Sequence, residues 1–170
     1  MVTINTGNKH KQAEFKKFFG EDTVFLNLDV KEPRATALEI IRYKASQFDN
    51  VIVDDTSLYV DGHDFGPMIK WNIKSLIDCV GRNAIFSCLL AKHTQQKIFI
   101  YKGEVQGTIC KKQGEDFGFN PYFIPKTSTH SLAEQKPNHH NARFLASQKA
   151  LQENWDNTYE PLLEWHGEFQ

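Results

Sequence analysis

Two carboxylates in succession, Asp54 and Asp55, follow the apolar run Val51-Ile52-Val53. In open α/β sheets the carboxyl end of a buried strand is where ligands usually collect. Side chains of adjacent extended residues diverge, so one carboxylate can hold a metal while the other holds a water or a neighbouring group. Either charge would be costly if buried alone, which calls for a metal or a lysine beside it. A solvated strand end, or a cap for the next turn, accounts for the pair equally well.

Thr6-Gly7-Asn8 lies between an apolar stretch and a helical pattern, with Lys11 one turn further on. Helix N-termini leave amide donors unpaired and attract anions, so this segment is a candidate phosphate site. It is not the longer Gly-rich loop ending in Lys-Ser/Thr, and a plain helix cap explains it as well. Glu32, just before Pro33, is a candidate oxygen ligand for magnesium, which takes one or two carboxylates and otherwise water or phosphate. Lys44 and Lys70 are candidate phosphate contacts. Phe117-Gly118-Phe119-Asn120-Pro121 joins aromatic faces to a mobile backbone and suits a nucleobase, although core packing is the commoner fate of such rings. His139-His140, with Arg143, offers donors to a base or phosphate edge. Adjacent histidines do not share a helical face, so they make a poor zinc pair.

These groups need elements to hold them. Val2–Asn5 and Val24–Leu28 read as strands, and a helix from about Lys9 carries Phe15, Phe18 and Phe19 to a stop at Gly20. Thr36 and Glu39 form a capping-box pattern ahead of Leu38, Ile41, Ala45 and Phe48. Val51–Val53 reads as a strand that stops at Asp54. Ile69–Val80 fits a helix, and 84–91 fits either helix or strand. Lys97–Tyr101 and Glu104–Cys110 read as two strands around a Gly-containing turn. Phe117–Phe123 is a loop, Ala142–Leu151 a helix, and the tail after Trp155 has no clear pattern. The order predicts an α/β fold with a mixed sheet in one domain over 1–170.

With 40% hydrophobic and 24% charged residues, the 170-residue chain has material for a packed core. A net charge of −1 argues against a general nucleic-acid or membrane surface. The odd count of Cys79, Cys88 and Cys110 fits free thiols in a reducing compartment. No signal-peptide pattern or apolar run of membrane-spanning length is present, so a cytoplasmic location is expected.

Taken together, these segments resemble the inosine triphosphate pyrophosphatase (Ham1) family. Its opening Thr-Gly-Asn, then Lys and Glu, is matched by Thr6-Gly7-Asn8, Lys11 and Glu14. Its Glu-Asp-Ser/Thr is similar to Asp54-Asp55-Thr56, and the Gly-Pro-x-Ile-Lys-Trp of its eukaryotic branch to Gly66–Trp71. Its Gly-Phe-Gly-aromatic-Asp-Pro-x-Phe is approached by Asp116–Phe123. The resemblance runs from residue 3 to about 151. It implies two lobes around a long mixed β-sheet with the substrate cleft between them, a strand at 84–91, and a homodimer. It also implies hydrolysis of ITP, dITP and XTP to the monophosphate and pyrophosphate with magnesium, or manganese in its place. By position, Thr6, Gly7, Asn8, Lys11, Lys44, Thr56 and Lys70 would hold the nucleotide's phosphates. Glu32 and Asp55 would hold the metal, Asp55 would also direct the attacking water, and Lys11 and Lys70 would assist the chemistry. Phe117, Gly118, Phe119, Asn120, His139 and His140 would form the base end.

The departures fall at that base end. Asn120 stands where the family has Asp, and Asn138-His139-His140 stands in place of Ser-His-Arg, removing a guanidinium there. The lysine that normally precedes that motif has no aligned counterpart, and Lys136 is the nearest substitute. The loop 61–66 is also short. Relaxed or altered base preference is therefore an alternative, as is a nucleotide-binding regulator without turnover. A nucleic-acid module stacking bases on Phe117 and Phe119 is a third, opposed by the absence of basic clusters.

Overall fold

The computed structural model describes residues 1–170, and its first half alternates strand and helix. Strand β1 (Thr3–Asn5) leads to helix α1 (Lys9–Phe19), β2 (Val24–Leu26), α2 (Ala37–Ser46) and β3 (Ile52–Val60). β1 runs parallel to both β2 and β3. The pattern then turns antiparallel through β4 (Asn83–Thr94), β5 (Lys97–Ile109) and β6 (Phe123–Pro125), in the order β2-β1-β3-β4-β5-β6. Helix α3 (Ala142–Leu151) and β7 (Asn157–Tyr159) follow, β7 pairing with the other end of β5 from β6. This is the expected mixed-sheet α/β fold. Its parallel and antiparallel parts meet at β3, where the cleft opens.

Both faces of the sheet are buried, by different helices. Ile4, Ile52, Leu58, Phe86 and Leu90 pack with Phe15 of α1 and Ala142 and Ala146 of α3. Val53, Ala91, Ile98 and Ile100 pack with Ala37, Ile41 and Ala45 of α2 on the opposite face. Alternation along β3 thus sends Asp54 and Thr56 to the α1/α3 side, and Asp55 to the α2 side. Helix α2 begins with the expected capping box, Thr36 and Glu39 satisfying each other's backbone amides. Helix α1 is capped by Asn8 and closes at Gly20.

Three expectations need correction. Strand β3 does not stop at Val53: Asp54 and Asp55 lie within it, opposite Leu90 and Leu89. Lysines from α1 and α2 offset the charge there, so the ladder continues through residues that read locally as a terminus. Lys97–Tyr101 and Glu104–Cys110 are one strand, with Gly103 inside it. A Cβ at Gly103 would strike the Ala142 carbonyl oxygen, so this glycine serves close approach of α3 to the sheet rather than a turn. Ile69–Val80 is not an α-helix but two 3-10 segments, Ile69–Trp71 and Ile73–Cys79. Between them the Asn72 side-chain amide donates to the Met68 carbonyl at 2.8 Å, a local bond that competes with a helical ladder. Residues 84–91 lie in β4, as the resemblance implied. The tail, unread in the sequence, forms β7 and then crosses α2. All three cysteines are free and buried, and no helix is long and apolar enough to cross a membrane.

Candidate active site

A cleft of about 440 Å³ is lined by the β1–α1 turn, the 27–32 loop, β3, the 67–73 segment, the 117–120 loop and α3. Of the residues singled out in the sequence, Thr6, Gly7, Asn8, Lys11, Glu32, Lys44, Asp55, Thr56, Lys70, Phe117, Gly118, Phe119 and Asn120 all line it. His139 and His140 do not.

At the β1–α1 turn the side-chain oxygen of Asn8 accepts from the amides of His10 and Lys11, at 3.0 and 3.2 Å. The Thr6 hydroxyl accepts from the Asn8 amide. Capping and cleft lining are therefore the same structure, a helix start aimed into the cavity. Lys11 crosses to Asp54, Nζ to Oδ2 at 2.8 Å. Burial would raise the Asp54 carboxyl, but Lys11 and Lys44 more than offset it and hold it below the usual carboxylate range.

On the α2 side of β3 the charges are less settled. Lys44 donates to the Asp54 carbonyl at 2.6 Å and lies 3.9 Å from Glu32, while Lys70 reaches Glu32 at 3.3 Å. Asp55 is buried, and its Oδ2 has no hydrogen-bond partner. Burial pushes this carboxyl up to about 7, with Lys44 drawing it down and Glu32 pushing it up. An orphaned buried carboxylate oxygen beside a second carboxylate is a set of hard oxygen donors in need of a cation. Glu32 and Asp55 fit a divalent metal such as magnesium on that ground.

The base end is bound together differently. Arg143, buried in the first turn of α3, grips Glu14 of α1: Nε to Oε1 at 3.2 Å and Nη2 to Oε2 at 3.3 Å. Its remaining arm donates to the Thr56 hydroxyl at 3.1 Å. Asn141 caps α3 by accepting from the Arg143 amide, and its own amide donates to Glu14 at 2.5 Å. Lys136 bridges Glu14 and Asp116, at 3.3 and 3.2 Å. Burial would raise the Glu14 carboxyl, yet Arg143, Asn141 and Lys136 together hold it below its usual value. Asp116 is likewise lowered against burial, by the Phe117 amide, Asn120 and Lys136.

Phe117 stands on this network. Lys136 lies 4.9 Å and the Arg143 guanidinium 5.4 Å from its ring centre, and the His10 ring stacks on it at 4.6 Å with 9° between planes. Gly118, with φ of 63°, turns the chain so that Phe119 enters the core against Phe86 and Phe123. Asn120 is buried, and its amide donates to Asp116 at 3.0 Å. The carboxylate that pairs with Lys136 thus sits one turn earlier than the resemblance placed it.

The guanidinium is displaced too. His139 and His140 occupy a 3-10 turn outside the cleft, where the His140 ring meets the Thr127 hydroxyl at 3.0 Å. Arg143 supplies the cleft instead. One signal for it was present in the sequence: a cation in the first turn of a helix opposes the macrodipole and so needs a buried anion, which Glu14 provides.

A model of the Ham1 family matches residues 2–153. The chain is 30% identical to a dITP/XTP pyrophosphatase of Korarchaeum cryptofilum over 76% of this chain and 81% of that protein. It is also 30% identical to the dITP/XTP pyrophosphatase of Hyperthermus butylicus, over 95% and 97%. In fold it resembles the structure of the Staphylococcus aureus Ham1 protein, with a TM-score of 0.72, covering 90% of this chain and 98% of that one at 23% identity.

Proposed function

The chain belongs to the Ham1 family, and on that premise we propose that it hydrolyses dITP, XTP and ITP to the monophosphate and pyrophosphate. The observation that carries this reading is the buried, unpartnered Asp55 oxygen beside Glu32, with three lysines around the same strand.

In the proposed reaction water adds to the α-phosphorus and the bond to the bridging oxygen of the β-phosphate breaks. The products are a nucleoside monophosphate and pyrophosphate. Asp55 orients the water and takes its proton, and a divalent ion beside it would ease that transfer by acidifying the water. Lys11 from α1, Lys44 from α2 and Lys70 from the 3-10 segment offset charge gathering on the departing pyrophosphate. Thr6, Gly7 and Asn8 present the α1 N-terminus to the same phosphates. A divalent ion held by Glu32 and Asp55 would supply Lewis-acid stabilisation of the phosphate charge.

At the other end, the Phe117 ring receives the base, and Lys136 and Arg143 stand beside it as donors. A purine with a 6-oxo group offers acceptors to such cations, whereas the adenine amino group would place donor against donor. Magnesium or manganese, a homodimer and a cytoplasmic location complete the reading. Exposed Tyr59, Trp71, Ile77 and Val80 support a subunit contact, and three free thiols support a reducing compartment.

The test is pyrophosphate release by purified protein with magnesium across dITP, XTP, ITP, dUTP, ATP and GTP. The expected result is turnover of the first three well above ATP and dUTP, with GTP, whose base shares the 6-oxo group, reporting on contacts beyond Lys136 and Arg143. Even turnover across the panel would replace this substrate class with a relaxed one. No turnover by folded protein would leave a nucleotide-binding regulator.

A further inference from the structure

Glu32 must be held still to serve as a ligand, yet it lies in the irregular segment between β2 and α2, from 27 to 36. At its near end this segment is fixed by Asn5 of β1, whose side chain donates to the Leu28 carbonyl at 3.1 Å and accepts from the Leu28 amide at 2.9 Å. Its far end is fixed from an unexpected place. After β7 the tail runs over α2, where the Leu162 amide donates to the Ser46 hydroxyl and Gln47 donates to the Leu163 carbonyl. A turn closed by Trp165 Nε1 on the Glu168 carbonyl then brings 168–170 beside the Glu32 loop.

There the tail adds a short antiparallel bridge centred on Pro33 and Phe169. The Arg34 amide donates to the Glu168 carbonyl at 2.8 Å, and the Gln170 amide donates to the carbonyl of Glu32 itself at 2.9 Å. Phe169 packs edge-on against Tyr43 of α2, with ring centres 5.9 Å apart. The Gln170 side chain makes the last link. Its amide donates to the Pro33 carbonyl at 3.1 Å, and its oxygen accepts from Trp71 Nε1 at 3.1 Å. Trp71 directly follows Lys70, the lysine that pairs with Glu32.

We propose that residues 168–170 are a positioning strap for the metal side of the site, holding the Glu32 carboxylate and the Lys70 segment in register. The strap lies beyond the residues the family model matches, and it touches both walls of the cleft without lining it. Pro33 gives the arrangement its logic. Proline has no N–H to pair, so the loop's own backbone secures Glu32 weakly, and the Glu32 carbonyl is tied from outside. The claim rests on the metal role proposed above for Glu32.

The test uses the whole 170-residue chain with Gln170→Pro, which removes both the backbone donor to Glu32 and the side-chain links, and with Phe169→Ala as an independent change. Manganese binding is titrated calorimetrically without nucleotide. Hydrogen exchange is followed at residues 29–34, and turnover of dITP is measured against magnesium concentration. Gln170→Pro is expected to weaken manganese binding about tenfold, the size seen when groups supporting a metal ligand are lost. The magnesium concentration for half-maximal rate should rise by the same factor, with kcat at saturating metal little changed and exchange at 29–34 faster. Phe169→Ala should move the same constants in the same direction by less. Unchanged manganese affinity in both variants, or a loss of melting temperature without any change in metal constants, would overturn the strap. The calorimetric arm does not depend on turnover. Failure of the proposed activity therefore shows in the wild-type assay, and failure of the strap shows in the variants' titrations.

Discussion

The two ends of the cleft carry similar numbers of charges and use them in opposite ways. At the metal end, Asp55 is buried with an oxygen that nothing in the protein satisfies, and Lys70 is half exposed on its way to Glu32. At the base end, Glu14, Arg143, Asn141, Lys136, Asp116 and Asn120 satisfy one another in a continuous chain of bonds. The first arrangement is unfinished without a ligand, and the second is finished before one arrives. On the proposed reading the difference separates the roles: an unsatisfied carboxylate suits metal and water, while a closed network suits a rigid frame on which a base is read.

If that contrast is right, removing a charge should have opposite effects on stability at the two ends. Asp55→Asn is expected to lower kcat/KM for dITP about 10³-fold, the scale of losing a positioned base. It should also raise the melting temperature of the metal-free protein at pH 8. Pyrophosphate release and thermal unfolding on the same preparation check both halves, and near-normal turnover would remove Asp55 from the mechanism. At the other end Glu14→Ala leaves Arg143 buried without its partner, at a cost of about 3 kcal/mol or roughly 10 °C in melting temperature. An unaltered melting temperature would show that the network is ornamental.

The stability effect at Asp55 also has a pH signature. Its folded-state pKa is raised, from 3.8 to about 7, so the folded metal-free protein binds this proton more tightly than the unfolded chain does. The stabilisation from the protonated form is complete below pH 4 and is lost as pH rises through 7. At about 1.4 kcal/mol per pKa unit the loss approaches about 4 kcal/mol. Comparing melting temperatures of wild type and Asp55→Asn from pH 5 to 8 isolates this group. The gap should widen towards pH 8 and close when magnesium is added. A gap independent of pH would mean that Asp55 is ionised and partnered in the empty protein.

The metal end was also the more legible end in the sequence. Asp55, Glu32, Lys11, Lys44 and Lys70 stand out through the family resemblance, since a loop carboxylate or a helical lysine is ordinarily just solvated, and the cleft collects them all. What local reading missed there was the strand itself, which continues through Asp54 only because Lys11 and Lys44 arrive from elements 43 and 10 residues away. The base end was legible in its aromatic loop and obscure in its charges. Arg143 pairs with Glu14, 129 residues off, and Asp116 with Lys136, 20 residues on, so neither charge could be read from its immediate neighbours. Gly103 misled for a similar reason: the carbonyl that excludes a side chain there belongs to Ala142. The strap over Glu32 had no sequence signal, being a few backbone bonds between the tail and a proline loop.

A smaller change sharpens the base end further. Asn120 donates to Asp116, so Asn120→Asp sets two carboxylates against each other with only Lys136 to share. The ratio of kcat/KM for dITP to that for dGTP is expected to fall about tenfold, within the range a misplaced polar contact produces. An unchanged ratio would place base discrimination in Arg143 and Phe117 alone.

The smallest expected effect concerns the one part of the base end that is not locked. His10 is exposed and its ring lies flat on Phe117, so a nucleobase taking that face would meet the imidazole first. Base and imidazole therefore compete for the same surface, and the base must displace the imidazole to bind. An aromatic pair of this kind contributes about 0.5–1.5 kcal/mol, so His10→Ala should lower KM for dITP about threefold while leaving kcat and melting temperature nearly unchanged. A raised KM would mean that the imidazole moves with the base and holds it. The base end would then be completed by its ligand in the same sense as the metal end, and the contrast between them would be one of degree.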